Sequence, residues 1–206
     1  MSISKYQFGV YKGAIPPRIC DLIIKHGLIE KGNIGTTFST AQNTLKNPDK
    51  LKELYSKRDS NISWLSQVWI YKNIVPYVKQ AMDRFEWNYE INRAESCQFT
   101  TYYPGQFYDW HQDSFVDRKI IDQYKGNNRK ISASVILNDP SEYEGGDLQF
   151  HMRNNDNPEK LNVEKVPFKD QGTVSVFPSF VYHRVLPVTK GVRYSLVMWL
   201  QGPDWR

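Results

Sequence analysis

Long apolar runs and cysteines are scarce in this chain, and each shortage excludes a class of protein. No stretch of about 18 consecutive apolar residues occurs, so the sequence predicts no helix that spans a membrane. Residues 1–6 lack the charged-then-apolar order of a secretory signal. Cys20 and Cys97 are the only cysteines and form no CxxC pair, a pattern typical of free thiols in a reducing compartment. Together these features predict a cytoplasmic protein with no membrane partner.

Internal repeats, low-complexity tracts and linkers are also lacking. A chain of 206 residues with a hydrophobic fraction of 40% can build one domain with a substantial core, but hardly two. The net charge of +5 comes from Lys and Arg residues that are spread along the chain rather than grouped. This spread favours a solvated, mildly basic surface, although an acidic partner would also suit the charge. No feature of the sequence indicates a particular oligomeric state.

The N-terminal part of the chain predicts a short strand followed by a helix. Residues 6–15 resemble a strand, and two consecutive prolines end it. Residues 17–27 carry apolar side chains at helical spacing, and Gly27 is expected to end this helix.

A long polar segment separates the first helix from the second. Residues 31–56 predict an excursion such as a lid or a binding loop, with one short helical candidate at 49–55. The segment 58–65 then leads into an amphipathic helix at 68–85, and Pro76 within it is expected to kink or restart the helix.

From residue 91 onward the pattern changes to short strands with turns between them. The predicted strands cover residues 95–103, 108–113, 130–138, 147–152, 161–163, 172–177, 182–188 and 191–201. Eight strands preceded by helices predict an α+β fold, in which a double-stranded β-helix (jelly roll) is backed by N-terminal helices. We therefore expect a single domain over residues 1–206, with helical support at about 1–90 and the jelly-roll core at about 91–206.

Two histidines and one aspartate form a candidate metal site. In a strand, alternate side chains share a face, so His111 and Asp113 can point at the same spot. His183 lies in another strand-like run and supplies a third ligand. Two imidazoles and one carboxylate on one side of a metal make the facial triad of non-heme Fe(II) oxygenases, with open positions for O₂ and a co-substrate. His151 competes as third ligand, but it ends a polar strand face that is more typical of a solvent-exposed surface.

The last predicted strand alternates in a way that suggests an anion site. Read at period two, one face is apolar and the other carries Arg193, Ser195, Val197 and Trp199. A guanidinium can bind a carboxylate through two parallel hydrogen bonds, and a nearby hydroxyl adds a donor. The alternative is an Arg193 that pairs with an acidic neighbour in the wall of the barrel.

These residues belong to a longer pattern that resembles a known family. Residues 102–113 read Tyr-Tyr-Pro-Gly-Gln-Phe-Tyr-Asp-Trp-His-Gln-Asp and resemble the Tyr-x-Pro-Gly-Gln-x-Tyr-x-x-His-x-Asp motif of Fe(II)/2-oxoglutarate dioxygenases of the prolyl 4-hydroxylase type. Residues 131–150 resemble the central strand pair of that family, and residues 172–201 its C-terminal half. The ending Met-Trp-Leu-Gln at 198–201 is similar to that of bacterial PKHD-type hydroxylases. The resemblance runs from about residue 96 to 201, with several separated motifs in the family's order.

The resemblance implies a set of cofactor-binding residues. Fe(II) would be held by His111, Asp113 and His183, with 2-oxoglutarate and O₂ as co-substrates and ascorbate as a further ligand. Arg193 would bind the C5 carboxylate of 2-oxoglutarate, assisted by Ser195 and a tyrosine. Counting back from the histidine favours Tyr102 for that tyrosine, while some relatives place it where Tyr103 stands. Ile136 replaces a second 2-oxoglutarate tyrosine that animal oxygen-sensing prolyl hydroxylases carry.

The same resemblance implies substrate-binding residues. Tyr108, Arg129 and Trp199 fall where prolyl hydroxylases line the substrate cavity. Arg58, in a segment similar to the Arg-x-Ser…Trp-Leu segment of those enzymes, would close the cavity. Residues 31–63 would fold over an extended peptide.

The expected reaction is hydroxylation of a prolyl residue in a protein or peptide, with release of succinate and CO₂. An AlkB-type nucleic-acid demethylase would share the iron site, but that family shows a second Arg where Trp199 stands, which disfavours a nucleic-acid partner. A non-catalytic jelly-roll binding module is the third reading, and a small metabolite remains an open substrate class.

Overall fold

The computed structural model describes residues 8–30, 33–34, 56–153 and 161–205. The α-helices that lie wholly within these residues are α1 (Pro17–Ile29), α2 (Val68–Arg84) and α3 (Arg118–Gln123). The strands are β1 (Gly9–Tyr11), β2 (Asn33–Ile34), β3 (Arg58–Asp59), β4 (Asn61–Leu65), β5 (Arg93–Ala94), β6 (Cys97–Tyr102), β7 (Phe107–His111), β8 (Asn127–Ile136), β9 (Tyr143–Gly145), β10 (Leu148–Arg153), β11 (Leu161–Lys165), β12 (Val174–Pro178), β13 (His183–Val185), β14 (Val188–Gly191) and β15 (Arg193–Pro203). The helical candidate at 49–55 and most of the polar excursion at 31–56 fall outside the described residues.

Helix α1 begins with Pro17 in its first turn and continues past the residue expected to end it. Gly27 lies inside the helix, two residues before its last residue, Ile29, so the expected end at Gly27 was wrong. A Cβ on Gly27 would lie 2.3 Å from the ring of Phe99, so the glycine is needed for close packing of α1 on strand β6 rather than for a helix end. The buried positions recur at helical spacing: Cys20, Ile23 and Gly27.

Helix α2 packs one apolar stripe against the sheet. Its buried residues are Ile70, Ile74, Val78 and Ala81. The helix runs through Pro76 without restarting, and Pro76 lies on its exposed side, where the missing backbone hydrogen bond faces solvent. No helix in the described part of the chain is long and apolar enough to span a membrane.

The strands form two large sheets, and β-structure predominates over helix. The larger sheet has the order β1-β12-β8-β15-β6-β4-β2, with β5 also paired to β15, and the smaller has the order β11-β10-β13-β7-β3. A two-stranded sheet joins β14 to β9. Strands β1 and β2 lie at the two edges of the larger sheet, with β4 beside β2, and β3 lies at one edge of the smaller sheet. The N-terminal part therefore supplies β1 to β4 as well as helices.

Several predicted strands have different bounds in the structure. The run predicted at 182–188 is divided between β13 and β14, and the run predicted at 6–15 shortens to β1. Helix α3 was not predicted; Asp117 caps it by accepting a hydrogen bond from the backbone N–H of Lys119.

Two buried apolar clusters surround the strands that carry the candidate site. The first lies between the helices and the larger sheet, and both free cysteines, Cys20 and Cys97, are buried in it. The second combines residues of both sheets, including Tyr102, Leu148 and Phe177. Strand β15 separates the two regions: Leu196, Met198 and Leu200 join the first cluster, and the alternate residues face the other way, as predicted.

Candidate active site

The structure brings His111, Asp113 and His183 together. Strands β7 and β13 are neighbours, and His183 pairs directly with His111 across them. One potential ligand atom from each of the three residues lies within 4.8 Å of the others. The closest approaches are 3.8 Å from His111 Nε2 to Asp113 Oδ1 and 3.5 Å from His183 Nε2 to Asp113 Oδ2.

Asp113 reaches this cluster from a turn. Strand β7 ends at His111, two residues earlier, whereas the sequence predicted a strand as far as Asp113. The backbone N–H of Asp113 donates to the carbonyl oxygen of Ser179 at 2.8 Å, which fixes the turn against the segment between β12 and β13. The shared strand face that was expected is therefore replaced by a turn held through a long-range hydrogen bond.

Backbone carbonyls set the tautomers of both histidines. His111 Nδ1 lies 2.7 Å from the carbonyl oxygen of Asp109, and His183 Nδ1 lies 2.9 Å from that of Val181. A carbonyl oxygen can only accept a hydrogen bond, so each Nδ1 carries the proton. Each Nε2 atom therefore keeps a free lone pair on the side facing Asp113. A histidine must present such a lone pair to bind a metal.

The carboxylate is held in its ionised form. Ser132 Oγ donates to Asp113 Oδ2 at 2.6 Å and lies 2.9 Å from Ser179 Oγ. Burial alone would raise the pKa of Asp113, but the charge that His183 and His111 carry when protonated, the Arg129 guanidinium and the Ser132 hydroxyl together lower that pKa below its usual value. Ser132 and Ser179 were not singled out from the sequence, because isolated serines carry no spacing signal.

His111 is held in its neutral form. Burial, followed by the charge that His183 would carry, lowers the pKa of His111 well below its usual value. Two imidazoles and one carboxylate, all largely buried, fit a divalent cation such as Fe(II), which binds this donor set. These residues therefore fit the metal that the sequence implied.

A cavity extends from this cluster to the inner face of β15. Its walls include the three candidate ligands together with Arg193, Ser195 and Trp199. Arg193 is only 1% exposed, and its Nε and Nη1 atoms find no hydrogen-bond partner among the described residues. A buried guanidinium with unused donors is costly unless an anion meets it, so this arrangement fits the carboxylate of a bound co-substrate.

The two candidate tyrosines lie on opposite sides of their strand. Tyr102 is 3% exposed and lines the cavity, with its ring 5.5 Å from the Arg193 guanidinium carbon, whereas Tyr103 is 46% exposed. Burial raises the pKa of Tyr102, so its phenol stays neutral and can donate a hydrogen bond. Of the two alternatives, the structure brings Tyr102 to the site.

Tyr108 contacts the cluster directly, and Arg58 contacts Tyr108. The ring of Tyr108 stacks on that of His111 with centroids 3.5 Å apart, and it lines the cavity. The guanidinium carbon of Arg58 lies 4.4 Å from the Tyr108 ring centroid, and its Nε donates to Ser60 Oγ at 2.9 Å. Arg58 is thus packed against a wall residue rather than being a wall residue itself.

Arg129 was expected to line the substrate cavity, and the structure instead pairs it with Glu95. Its Nε and Nη2 donate to the two carboxylate oxygens of Glu95 at 2.6 and 2.7 Å. The guanidinium carbon lies 3.7 Å from the ring centroid of Trp199, which does line the cavity. Arg129 therefore contacts a cavity-lining residue without lining the cavity itself. Glu95 was missed from the sequence because it stood only as the first residue of a predicted strand.

His151 lies apart from the His-Asp-His cluster. Its ring stacks on Trp110 with centroids 3.7 Å apart, and in β10 it alternates with Phe150, which packs in the cluster between the sheets. The structure therefore brings His183 and not His151 to the pair of residues at the end of β7.

Comparisons with known proteins agree with this geometry. The family model of the 2OG-Fe(II) oxygenase superfamily matches residues 97–201. A PKHD-type hydroxylase of Synechococcus sp. (strain JA-2-3B'a(2-13)) is 30% identical over 107 residues, covering 52% of this chain and 43% of the relative. A PKHD-type hydroxylase of Teredinibacter turnerae is 32% identical over 109 residues, covering 52% and 44%. The chain thus spans less than half the length of these curated relatives.

Solved structures show the same fold at low sequence identity. A Pseudomonas putida prolyl-4-hydroxylase aligns with a TM-score of 0.67 and 19% identity over 98% of this chain and 96% of its own. A viral collagen prolyl hydroxylase from Paramecium Bursaria Chlorella virus-1, solved as a 2OG complex, aligns with a TM-score of 0.63 and 19% identity over 95% and 96%. With the family model matching half of the sequence around a buried His-Asp-His cluster, the chain belongs to the 2OG-Fe(II) oxygenase superfamily.

Proposed function

We propose that this protein is an Fe(II)- and 2-oxoglutarate-dependent dioxygenase that hydroxylates a C–H bond, with a prolyl residue of a protein or peptide as its substrate. One observation carries the proposal: a His-Asp-His cluster and a buried arginine with unused donors line the same cavity. The cluster suits a divalent metal, and the arginine suits the distal carboxylate of a keto diacid.

Each group has an assigned role. His111, Asp113 and His183 hold Fe(II), while Arg193, Ser195 and Tyr102 hold 2-oxoglutarate. When bound by these residues, Fe(II) and 2-oxoglutarate would supply oxidative hydroxylation with O₂, and 2-oxoglutarate would be converted to succinate and CO₂.

Residues around the cavity orient the proposed iron ligands and exclude water. Ser132 orients the Asp113 carboxylate, and the carbonyls of Asp109 and Val181 keep both Nε2 atoms unprotonated. Leu148, Phe177, Val185 and Val197 form apolar walls that exclude water from the reacting centre.

The proposed framework is one domain. We propose that the two large sheets form a double-stranded β-helix core at about residues 91–206, with helical support at about 1–90. Support comes from the second apolar cluster, whose members are drawn from both sheets.

The substrate proposal rests on the aromatic side chains beside the cavity. Trp199 lines it, and Trp64, which is 44% exposed, has its ring 6.2 Å from that of Trp199. Aromatic faces of this kind offer a packing surface for an apolar ring such as that of proline. The names of the two structural neighbours, a prolyl-4-hydroxylase and a collagen prolyl hydroxylase, point to the same substrate class.

Mass spectrometry of peptide products tests the proposal. The iron-loaded protein is incubated with 2-oxoglutarate and proline-containing peptides, and with matched peptides in which alanine replaces each proline. We expect a mass gain of roughly one oxygen atom on the proline peptides only, with matching succinate release. Turnover of free amino acids or small metabolites alone would reject the prolyl assignment, and absence of succinate under every condition would reject the dioxygenase assignment.

A further inference from the structure

Two buried asparagines lie at opposite ends of strand β8. Asn128 is the second residue of the strand, and Asn138 follows its last residue, Ile136, by two positions. Each asparagine is 1% exposed. A buried amide needs hydrogen-bond partners for both its oxygen and its nitrogen, so the partners of these side chains show which segments they hold.

The side chain of Asn128 holds the turn that carries Asp113. Its Oδ1 accepts from the backbone N–H of Phe115 at 2.8 Å, and its Nδ2 donates to the carbonyl oxygen of Phe115 at 2.9 Å. Phe115 follows Asp113 by two residues. Between them, the Ser114 hydroxyl donates to the carbonyl oxygen of Arg129 at 2.9 Å. The residues directly after Asp113 are therefore bound to β8 through both side-chain and backbone groups.

Asp204 fixes the orientation of the Asn128 amide. Asn128 Nδ2 also donates to Asp204 Oδ1 at 2.9 Å, and Asn128 Oδ1 also accepts from the backbone N–H of Arg129 at 2.8 Å. A carboxylate can only accept and a backbone N–H can only donate, so the amide cannot turn over without losing these bonds. Both donors and both acceptor positions of Asn128 are thus in use.

Asn138 holds the start of β15 in the same way. Its Oδ1 accepts from the backbone N–H of Tyr194, and its Nδ2 donates to the carbonyl oxygen of Val192 at 3.1 Å. These two residues are the neighbours of Arg193 in the chain. Asn138 Nδ2 also donates to Glu142 Oε2 at 2.7 Å, so a carboxylate orients this amide too. The backbone on both sides of Arg193 is therefore bound to one buried amide.

We propose that the two asparagines are positioning residues for different ligands. Asn128 holds the proposed iron ligand Asp113 in place, and thereby supports binding of Fe(II). Asn138 holds Arg193 in place, and thereby supports binding of 2-oxoglutarate. This inference rests on the proposed function. Neither asparagine lines the cavity, so each acts through the backbone that it binds rather than by contact with a ligand.

The two asparagines bind different segments, which gives the inference a specific signature. Loss of either amide is expected to weaken one ligand and to spare the other, because sites that share no partners respond independently. A general loss of stability would instead weaken both ligands together.

Crossed calorimetric titrations test the inference without relying on turnover. Asn128→Leu and Asn138→Leu each keep a side chain of similar size and remove both hydrogen-bonding groups. The first titration adds Fe(II) alone to the metal-free protein under anaerobic conditions, and the second adds 2-oxoglutarate to protein saturated with Fe(II). We expect Asn128→Leu to weaken Fe(II) binding about 10- to 100-fold and to leave the 2-oxoglutarate affinity within about threefold. Asn138→Leu is expected to weaken 2-oxoglutarate binding about tenfold and to leave the Fe(II) affinity within about threefold.

Asn73→Leu is the matched control. Asn73 Nδ2 donates to the carbonyl oxygen of Trp69 at 2.8 Å within α2, so this amide also bonds the backbone but holds neither segment. Both affinities should stay unchanged in this variant.

A second pair of variants covers the case in which a leucine variant loses its circular dichroism signal. Asp204→Ala and Glu142→Ala remove the orienting carboxylates and leave the asparagines in place. We expect the same crossed pattern from them, at about fivefold, because one hydrogen bond to each amide is lost.

The pattern of affinities separates the possible results. Equal losses of both affinities in both leucine variants would show that the asparagines act only on the stability of the fold, and this overturns the inference. Unchanged affinities would overturn it as well, because the two segments would then keep their places without the amides. If the wild-type protein binds neither Fe(II) nor 2-oxoglutarate, the proposed function fails together with the inference. If it binds both and the crossed pattern is absent, only the inference fails.

Discussion

The guanidinium carbon of Arg129 lies 3.7 Å from the ring centroid of Trp199, while two of its nitrogens bind both carboxylate oxygens of Glu95. Arg129 and Glu95 are each about 10% exposed at the side chain, so the ion pair is buried. The pair therefore packs against the outer side of Trp199, which forms part of the cavity wall. An arginine expected to contact substrate is instead placed to hold a tryptophan that does line the cavity.

Removing the charge of Glu95 is expected to destabilise the protein strongly. Glu95→Gln leaves the Arg129 charge buried without its partner, and we expect a loss of about 3 kcal/mol in the free energy of unfolding, together with a shift in tryptophan emission. Asp122→Asn is the control, because the Arg118–Asp122 pair has side chains 70% and 63% exposed and should contribute less than about 1 kcal/mol. Urea unfolding of both variants measures the difference. Equal losses in the free energy of unfolding would show that the buried Glu95 pair contributes no more to stability than the exposed Asp122 pair.

Loss of one hydroxyl beside Asp113 is expected to weaken metal binding. Ser132→Ala removes the hydrogen bond that orients Asp113 Oδ2, and outer partners of this kind typically change metal affinity about 10- to 100-fold. Anaerobic calorimetric titration with Fe(II) measures the effect. Ser63→Ala is the matched control, because Ser63 is also buried but donates to the carbonyl of Gly27, far along the chain. Similar Fe(II) affinities in the two variants would contradict the role given to Ser132.

The metal-free protein is expected to lose stability as the pH falls below about neutral. The pKa of His111 is lowered in the folded state, so between that lowered value and 6.5 the unfolded chain binds more protons than the folded one. Stability then rises with pH across this window and falls on acidification. Urea unfolding at pH 7.5 and 5.5, with a chelator present, measures this dependence.

His111→Gln supplies the control for that pH dependence. The variant cannot titrate at this position, so its stability should change less between the two pH values. The lowered pKa of His151 acts in the same direction and remains in both proteins, which makes the difference between them the informative quantity. Equal pH dependence in the two proteins, or greater wild-type stability at pH 5.5, would contradict the account of His111.

Replacing Arg193 by lysine is expected to weaken 2-oxoglutarate binding although the positive charge is kept. A lysine offers a point charge and cannot present two parallel N–H donors, so we expect a loss of about 10- to 100-fold in affinity. Calorimetry with the iron-loaded protein under anaerobic conditions measures it. Arg184→Lys is the matched control, because Arg184 bonds Gln149 in the smaller sheet and does not line the cavity. An unchanged affinity in Arg193→Lys would remove Arg193 from the co-substrate site.

A methyl group on Gly27 is expected to destabilise the fold. Alanine in a helix interior normally stabilises relative to glycine by about 1 kcal/mol, but here its Cβ would lie 2.3 Å from the Phe99 ring. Overpacking of this kind costs about 1–3 kcal/mol, so Gly27→Ala should lower the free energy of unfolding. Trimming the ring in Gly27→Ala/Phe99→Leu should restore part of the loss. Stabilisation by Gly27→Ala alone would show that α1 can move away from β6 at little cost.

Patterns over a few residues were enough to find the His-Asp-His cluster and the face of the last strand. The period-two alternation in β15 separated Arg193 and Ser195 from Leu196 and Met198, because successive side chains of any strand point to opposite faces. The two-residue spacing of His111 and Asp113 also predicted their proximity. The structural reason differs from the predicted strand face, however, because Asp113 lies in a turn that is held by Ser179.

Contacts between distant parts of the chain were decided only by the folded protein. Alternation assigns a side chain to a face but does not name its partner across the sheet, so nothing in the sequence tied Arg129 to Glu95, 34 positions away. Gly27 looked like a helix end because glycine often is one, and only the packing of α1 on Phe99 revealed its other use. The cavity beside Arg193 arises in the same way, because the shape of a cavity depends on how residues from several strands and loops pack together rather than on any one segment.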